Sequence, residues 1–236
     1  TMDNLAELER KIGINFKNKN LIREAITHRS YLNEYPNQNL KHNERLEFLG
    51  DAVLELIVTD YLFRKMPESP EGMMTGLRAS LVKTDSLIKV AHKIDLDKFI
   101  LVSKGESKDK NSKGFETILA NAVEAIIGAI YLDSGFAAAK KFIEENILIY
   151  LEEIIRNKEW KDAKSLFQEL SQAELEITPK YKILKEWGPD HNKKFLVGLY
   201  LDDKLISKGK GSSKQEAEIE AAKEALTLKK EKGWSI

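Results

Sequence analysis

The sequence predicts a two-domain protein in which an all-α domain precedes a small α+β domain with the element order α-β-β-β-α. Apolar residues recur with helical spacing from Leu21 to Ile155. The charged segment that follows has no apolar rhythm, and beyond it a strand-like alternation appears. We therefore expect an all-helical domain at 1–157, a linker at 158–161, the α+β domain at 162–230 and a tail at 231–236.

The composition is typical of a globular protein and says little about partners. Of the 236 residues, 42% are hydrophobic, and 38 basic side chains balance 38 acidic ones. The chain has no cysteine, which excludes a disulfide framework and a thiolate zinc site. The N-terminal segment lacks the apolar core of a secretory signal, and no run approaches the roughly 18 apolar residues of a membrane span. We therefore expect a cytoplasmic protein that does not associate with membranes.

Three polar segments separate the helices predicted for the first domain. They lie at 33–42, 67–72 and 104–114, and they are rich in residues that interrupt helices. In the second domain, a helix is predicted from Ser165 to Glu176. The segments YKILKEW, FLVGLYL and LISKG then predict three strands, and the capping box formed by Ser213 and Glu216 predicts the start of a last helix.

The apolar segment HNERLEFLGDAVLELIVTDYLF, residues 42–63, carries Glu44, Glu47, Asp51 and Glu55. On a helix, Glu44, Glu47 and Asp51 fall on one stripe, and Glu55 continues it. A solvated face of an amphipathic helix is one explanation. It is weakened because the segment contains a single basic residue, whereas exposed helical faces typically alternate charges. Like charges at this spacing oppose helix formation unless a partner neutralises them.

A second apolar segment, ETILANAVEAIIGAIYL at 116–132, carries Asn121 and Glu124 three residues apart. A helix that is apolar on nearly every side is expected to be buried. Buried carboxylates require protonation, an ion pair or a metal. Oxygen ligands on two buried helices, with no His or Cys among them, favour Mg²⁺ or Mn²⁺ over zinc. The pattern therefore indicates phosphoester hydrolysis by a metal-activated water.

These motifs resemble those of the ribonuclease III family over essentially the whole chain. NERLEFLGDAVL resembles the family signature, and the other matching segments, in chain order, are AITHRSY, EGMMTGLRASLV, SKGE and ILANAVEAIIGAIYLD. The resemblance implies an Mg²⁺-dependent endoribonuclease that cuts double-stranded RNA, leaves 5′-phosphate and 3′-hydroxyl ends, and acts in ribosomal and other RNA processing. It also implies a homodimer in which each copy cuts one strand, and a two-fold dimer suits the antiparallel strands of a duplex.

The resemblance also assigns roles to individual acids. The implied catalytic residues are Glu47, Asp51 and Glu124. The implied metal ligands are Glu47, Asp51, Asn121 and Glu124. The implied accessory acids are Glu44 and Glu71, of which Glu71 also lies at a helix start that favours negative charge.

Asn121 departs from the family pattern, which commonly has Asp at this position. The amide supplies one neutral oxygen and removes a negative charge, so Mg²⁺ affinity should fall and Mn²⁺ is expected to substitute. Two functions therefore remain open: the endoribonuclease, and a double-stranded-RNA-binding protein whose cleavage Asn121 weakens or abolishes. A helical hydrolase of small phosphate esters would not need the second domain, and no Gly-rich phosphate loop supports it.

The second domain resembles a double-stranded-RNA-binding domain, with LFQELSQ, GPDHNKKF and GKGSSKQEAEIEAA at its three contact regions. The implied RNA-binding residues are Gln168, Gln172, His191, Lys193, Lys194 and Lys214. The two glutamines can reach 2′-hydroxyls in the minor groove, and Lys214 joins its charge to a helix N-terminus to hold a phosphate. From residue 162 onward, 14 Lys face 13 acidic residues, so binding should depend on one lysine-lined surface.

Overall fold

The structure is a computed structural model that describes residues 2–110, 112–189 and 192–234. Its contacts divide the chain into two compact units, 1–160 and 161–236. The first unit is helical and the second combines helices with one sheet. The predicted class, an all-α domain followed by a small α+β domain, is therefore confirmed.

The described residues of the first unit form ten α-helices and two short 3-10 turns. The helices are α1 (Met2–Ile12), α2 (Lys19–Ala25), α3 (Arg29–Glu34), α4 (Glu44–Lys65), α5 (Glu71–Val82), α6 (Thr84–Lys93), α7 (Lys104–Lys108), α8 (Lys113–Ser134), α9 (Phe136–Asn146) and α10 (Leu151–Arg156). The turns lie at Leu96–Lys98 and Leu148–Tyr150.

Helix α8 is the centre of the first unit, and α4, α6, α9 and α2 pack around it. By length and composition, α8 is apolar enough to cross a membrane, unlike any segment expected from the sequence. However, 67% of its most apolar window is buried inside the unit, which is typical of a core helix.

One predicted break contains a helix. The segment 104–114 was expected to be irregular, but α7 occupies its first five residues. Ser103 starts this helix because its hydroxyl accepts a hydrogen bond from the Glu106 backbone N–H at 3.3 Å. The capping residue lies just outside the polar segment, so the composition of the segment itself did not indicate the helix.

The second unit has the predicted order α-β-β-β-α. Its elements are α11 (Ala163–Leu175), β1 (Lys180–Trp187), β2 (Lys194–Leu201), β3 (Lys204–Gly211) and α12 (Lys214–Lys232). The strands form an antiparallel sheet in the order β1-β2-β3. Helix α12 continues two residues into the segment expected as a tail.

The helices cover one face of this sheet, which we call the inner face. Phe167 of α11 and Leu199 of β2 are buried there together with the alanines of α12. Ser207 of β3 donates a hydrogen bond to the Ala221 carbonyl at 2.7 Å, which ties the strand to α12. Because side chains alternate along a strand, the intervening residues point to the opposite, outer face.

Candidate active site

Helices α4 and α8 cross with their backbones in direct contact. A Cβ on Gly50 of α4 would overlap the carbonyl oxygen of Glu124, and one on Gly128 of α8 would overlap that of Leu46. Only glycine permits so close an approach of two backbones. The crossing brings the predicted acids of the two helices together.

Glu124 of α8 is a strongly perturbed carboxyl group. Burial raises its pKa, and the negative charges of Asp51 and Glu47 on α4 raise the pKa further, to about 7. Both effects disfavour the ionised form, and a nearby cation would reverse them. The clustered negative charge therefore favours a bound cation at this position.

Glu47 lies partly buried beside Glu124 and shows the same direction of shift. Burial raises its pKa first, and the charges of Glu44 and Asp51 contribute. The side-chain amide of Asn121 acts in the opposite direction because it favours the carboxylate. Asn121 thus faces the acids of α4, as its position in the sequence predicts.

The donor set has the chemistry that a divalent cation requires, but it is not assembled into a ligand cage. Carboxylate and amide oxygens are the donors that Mg²⁺ and Mn²⁺ accept. Yet among the described residues no group of three or more His, Cys, Asp or Glu side chains converges closely enough to hold a metal ion. The residues therefore fit a cation in charge and donor type, without forming a complete ligand set among the described side chains.

The two accessory acids are placed differently. Glu44, at the start of α4, forms an ion pair with Arg29 at 3.3 Å and is one of the charges acting on Glu47. Glu71, at the start of α5, accepts a hydrogen bond from Thr75 at 2.8 Å. Glu71 is not among the groups that shift the pKa of Glu47 or of Glu124, so the described chain does not bring Glu71 to the cluster.

Glu55, the last acid of the stripe on α4, is paired with a basic side chain. This carboxylate forms an ion pair with Arg78 of α5 at 3.0 Å, and Arg78 also donates to the Thr59 hydroxyl at 3.2 Å. Arg78 therefore neutralises the end of the stripe rather than the cluster at Glu124.

A row of large apolar side chains on α4 is exposed. Phe48, Leu56 and Phe63 retain 80%, 59% and 70% of their accessible surface. Their spacing of eight and seven residues places them on one face of the helix. Large exposed apolar side chains along one face of a helix indicate an interaction site.

In the second unit, the two predicted glutamines lie on the exposed face of α11. Gln168 and Gln172 line a shallow depression with Ser165 and Glu169. The Gln172 amide donates a hydrogen bond to the Thr178 hydroxyl at 3.1 Å, and both glutamines are exposed. These side chains are accessible to a ligand lying along α11.

Two predicted RNA-binding lysines share one acidic partner. Lys193, before β2, and Lys214, at the start of α12, lie 3.3 Å and 3.9 Å from the Glu186 carboxylate. Lys194 is exposed at the start of β2. His191 lies outside the described residues. The structure thus joins the second and third predicted contact regions through Glu186.

Sequence reasoning missed Glu186 and the glycine pair of α4 and α8. The position of Glu186 depends on the strand register, which pairs it with Phe195 beside the start of α12 and which the sequence alone does not show. The glycines left a signal, since each lies inside an apolar helical segment where glycine costs about 1 kcal/mol relative to Ala.

The capping box at α12 is also altered. Ser213 accepts from the Glu216 backbone N–H at 3.1 Å as expected. The Glu216 carboxylate, however, accepts from the backbone N–H of Ser212 at 2.6 Å rather than from that of Ser213.

Two family models match the chain. One, described as Ribonuclease-III-like, matches residues 18–151, and the other, described as Double-stranded RNA binding motif, matches residues 163–228. The first contains the crossing of α4 and α8. The second contains α11, the sheet and most of α12, so the second unit is a domain that binds double-stranded RNA.

Curated relatives match over nearly the full length. Ribonuclease 3 of Carboxydothermus hydrogenoformans is 50% identical over 231 residues, which cover 97% of this chain and 97% of that protein. Ribonuclease 3 of Borreliella afzelii is 46% identical over 224 residues, which cover 94% of this chain and 90% of that protein. These relatives favour the endonuclease over a protein that only binds RNA.

Solved structures agree for the first unit. The nuclease domain of ribonuclease III from Campylobacter jejuni aligns with a TM-score of 0.53 at 44% identity, covering 61% of this chain and 93% of that one. A second structure of that domain, described for flexibility in a region involved in dimer formation, aligns with a TM-score of 0.52 and covers 60% of this chain and 97% of that one. The chain therefore belongs to the ribonuclease III family, whose members are divalent-metal-dependent endoribonucleases that act on double-stranded RNA.

Proposed function

We propose that the protein cuts double-stranded RNA in the cytoplasm as a homodimer, with Mg²⁺ held between α4 and α8, and that it acts in ribosomal and other RNA processing. The observation that carries this proposal is the carboxylate cluster around Glu124, whose pKa is raised to about 7 by burial and by Asp51 and Glu47. A cluster of like charges on two helices with touching backbones is costly unless it serves to bind a cation.

The metal ligands in this proposal are Glu47, Asp51, Asn121 and Glu124. When bound, Mg²⁺ supplies a water of lowered pKa and polarises the scissile phosphate. The catalytic residues in this proposal are Glu47, Asp51 and Glu124, whose carboxylates would hold the cation beside the reacting phosphate. Glu44 contributes negative charge beside Glu47. Water adds to phosphorus while the bond to the 3′ oxygen breaks, which leaves a 5′-phosphate and a 3′-hydroxyl.

Asn121 sets the metal preference. An amide in place of a fourth carboxylate removes one negative charge, so a cation binds less tightly. Mn²⁺ tolerates neutral ligands better than Mg²⁺ does, and we expect Mn²⁺ to support cleavage at lower concentrations. Glu71 acts as an accessory acid that joins the site only in the dimer or with RNA bound.

The homodimer is supported by the exposed row of Phe48, Leu56 and Phe63 on α4. In a two-fold dimer, the same patch of each copy faces its partner, so an apolar row on one helix can cover its own equivalent. The row lies on the helix that carries Glu47 and Asp51. Pairing through α4 therefore holds two copies of the cluster at a fixed separation, one for each strand.

The second unit holds the duplex through α11 and the start of α12. Gln168 and Gln172 contact 2′-hydroxyls, and His191, Lys193 and Lys194 lie in or beside the β1–β2 connection that contacts a second groove. Lys214 adds its charge to the N-terminus of the 19-residue helix α12 and binds a phosphate.

The decisive experiment incubates the protein with a long RNA duplex in Mg²⁺ and, separately, in Mn²⁺. The parent chain is compared with Asn121→Asp, Glu124→Gln and the exposed control Glu68→Gln. We expect cleavage by the parent and the control, faster cleavage in Mg²⁺ by Asn121→Asp, and a loss of at least about a hundredfold in Glu124→Gln.

Two outcomes would change the conclusion. Retained cleavage in Glu124→Gln would contradict the site assignment. Inertness of the parent in both metals, with cleavage restored by Asn121→Asp, would instead support the form that binds duplex RNA without cutting it.

A further inference from the structure

The outer face of the sheet in the second unit combines an apolar centre with a rim of lysines. Leu184 of β1, Leu196 and Tyr200 of β2 and Leu205 of β3 form the centre, and Leu184 and Leu205 are 39% and 37% exposed. The helices α11 and α12 pack on the opposite face. None of the predicted RNA contacts explains this surface.

Gly198 lies beneath apolar side chains at the middle of the face. A Cβ built on Gly198 would lie 2.8 Å from Leu205 Cδ1, 2.9 Å from Tyr200 Cε2 and 3.1 Å from Leu184 Cδ1. These three side chains therefore close over Gly198, where only glycine fits, and they form a continuous apolar surface. A β-bulge between Ile183 and Lys185 turns Leu184 toward Gly198.

Five lysines surround the apolar centre. The strand register places Lys182 and Lys208 on either side of Gly198, and Lys185 and Lys210 on either side of Leu196. Lys180 lies opposite Tyr200. Within the part of the chain that the structure describes, none of these five forms an ion pair. In contrast, Lys193 and Lys214 at the predicted RNA contacts share Glu186.

The near-neutral second unit is therefore polarised. From residue 162 onward it carries 14 lysines and 13 acids, but the lysines of the outer face have no acidic neighbours on that face. The positive potential of the outer face favours a negatively charged partner.

The kind of partner follows from the centre of the face. A double helix of RNA presents phosphates and hydroxyls, which gain nothing from leucine side chains. Single-stranded bases stack on open aromatic faces. Here, Lys182 Nζ lies 4.8 Å from the centre of the Tyr200 ring, and Lys185 Nζ lies 5.9 Å from that of Trp187. Both rings are thus already paired with cations.

We propose that the outer face is a docking site for an acidic protein segment whose leucine-like side chains lie against the apolar centre. Its carboxylates pair with the surrounding lysines, and its apolar residues cover Leu184 and Leu205. Because α11 and the start of α12 lie on the other side of the sheet, the second unit can hold this segment and duplex RNA at the same time.

The test uses the full chain and a fluorescein-labelled synthetic peptide of about ten residues, in which Asp and Glu flank leucines. We expect the fluorescence anisotropy to rise on binding, and the affinity to fall with added salt. Lys182→Glu/Lys208→Glu should weaken binding about tenfold or more. The control Lys230→Glu/Lys232→Glu changes the net charge equally at the exposed end of α12 and should stay within about twofold of the parent.

Two further measurements examine the apolar centre. Leu184→Asn should weaken binding about fivefold, and so should a peptide in which serines replace the leucines. Duplex-RNA binding and the circular dichroism spectrum serve as fold controls and should match those of the parent for every variant.

Each alternative occupant has its own signature, and each would overturn the proposal. Failure of the parent chain to bind the peptide would contradict the docking site. Equal binding of the serine peptide would mean that charge alone attracts the peptide and that the apolar centre plays no part. Displacement of the peptide by duplex RNA, with RNA binding lost in Lys182→Glu/Lys208→Glu, would assign the face to RNA. A change of oligomeric state in that variant, measured by sedimentation, would assign the face to a second copy.

Discussion

Gly50 lies against the backbone of Glu124, whose carbonyl oxygen occupies the space that a Cβ on Gly50 would require. The contact joins the packing of the first unit to its acidic cluster. Because α8 carries Glu124 and α4 carries Asp51, the separation of the two helices sets the distance between their carboxylates. Gly50, which has no side chain, thus helps to set the positions of the Glu124 and Asp51 carboxylates.

Gly50→Ala should therefore damage both stability and cleavage. The added methyl group meets backbone atoms that cannot rotate away, and we expect the free energy of unfolding to fall by about 2–3 kcal/mol. The matched control is Gly72→Ala in α5, where a Cβ meets nothing within 4 Å. Chemical denaturation and duplex cleavage measure the two effects. Equal stability of the two variants would contradict the close crossing.

Glu124→Gln should stabilise the metal-free protein at alkaline pH while abolishing cleavage. The folded chain raises the pKa of Glu124 from 4.5 to about 7, so between these values the folded state binds more protons than the unfolded state. The stability of the parent should therefore fall as pH rises from 4.5 to 7, and Gln avoids this cost. We expect a gain of roughly 1 kcal/mol above pH 7, a discounted figure because the side chain is only partly buried.

Denaturation midpoints measured with a chelator at pH 4.5 and pH 8 test this expectation. Glu68→Gln, in the exposed connection between α4 and α5, is the control and should match the parent at both pH values. A Glu124→Gln variant less stable than the parent at pH 8 would argue against repulsion in the cluster. Adding Mn²⁺ should stabilise the parent more than Glu124→Gln, because a ligand that binds the folded state raises its stability.

Regular patterns in the sequence predicted most of the fold, whereas contacts between distant segments could not be predicted from such patterns. The acids of α4 and of α8 were recognisable because each set has helical spacing, and the structure brings the two sets together at Glu124. The assignment of metal ligands stays a prediction. Glu71 illustrates the limit, since its position at a helix start says nothing about its distance from the other acids. The apolar centre of the outer face likewise depends on a bulge and on strand register, which no local pattern encodes.

Glu186→Gln should tighten the binding of duplex RNA. Glu186 lies 3.3 Å from Lys193 and 3.9 Å from Lys214, so its charge competes with phosphates for both lysines. Removing that charge should raise the affinity roughly threefold at low salt and steepen the dependence on salt. The control, Glu224→Gln, removes an exposed charge from the middle of α12. Weaker binding in Glu186→Gln would mean that the acid orders the lysines instead of masking them.

Trp234→Ala should loosen the second unit. The Trp234 ring lies 5.7 Å from that of the buried Phe167 in an edge-on arrangement, and its Nε1–H donates to the Glu174 carboxylate at 2.6 Å. Loss of the ring should cost about 1–3 kcal/mol, because Trp234 is partly exposed. Amide hydrogen exchange in α11 reports this change without relying on the tryptophan signal. Trp234→Phe keeps the ring contact and removes the N–H donor, so it should show a smaller increase in exchange. If the two variants exchange equally, the hydrogen bond to Glu174 rather than packing on Phe167 holds the end of the chain.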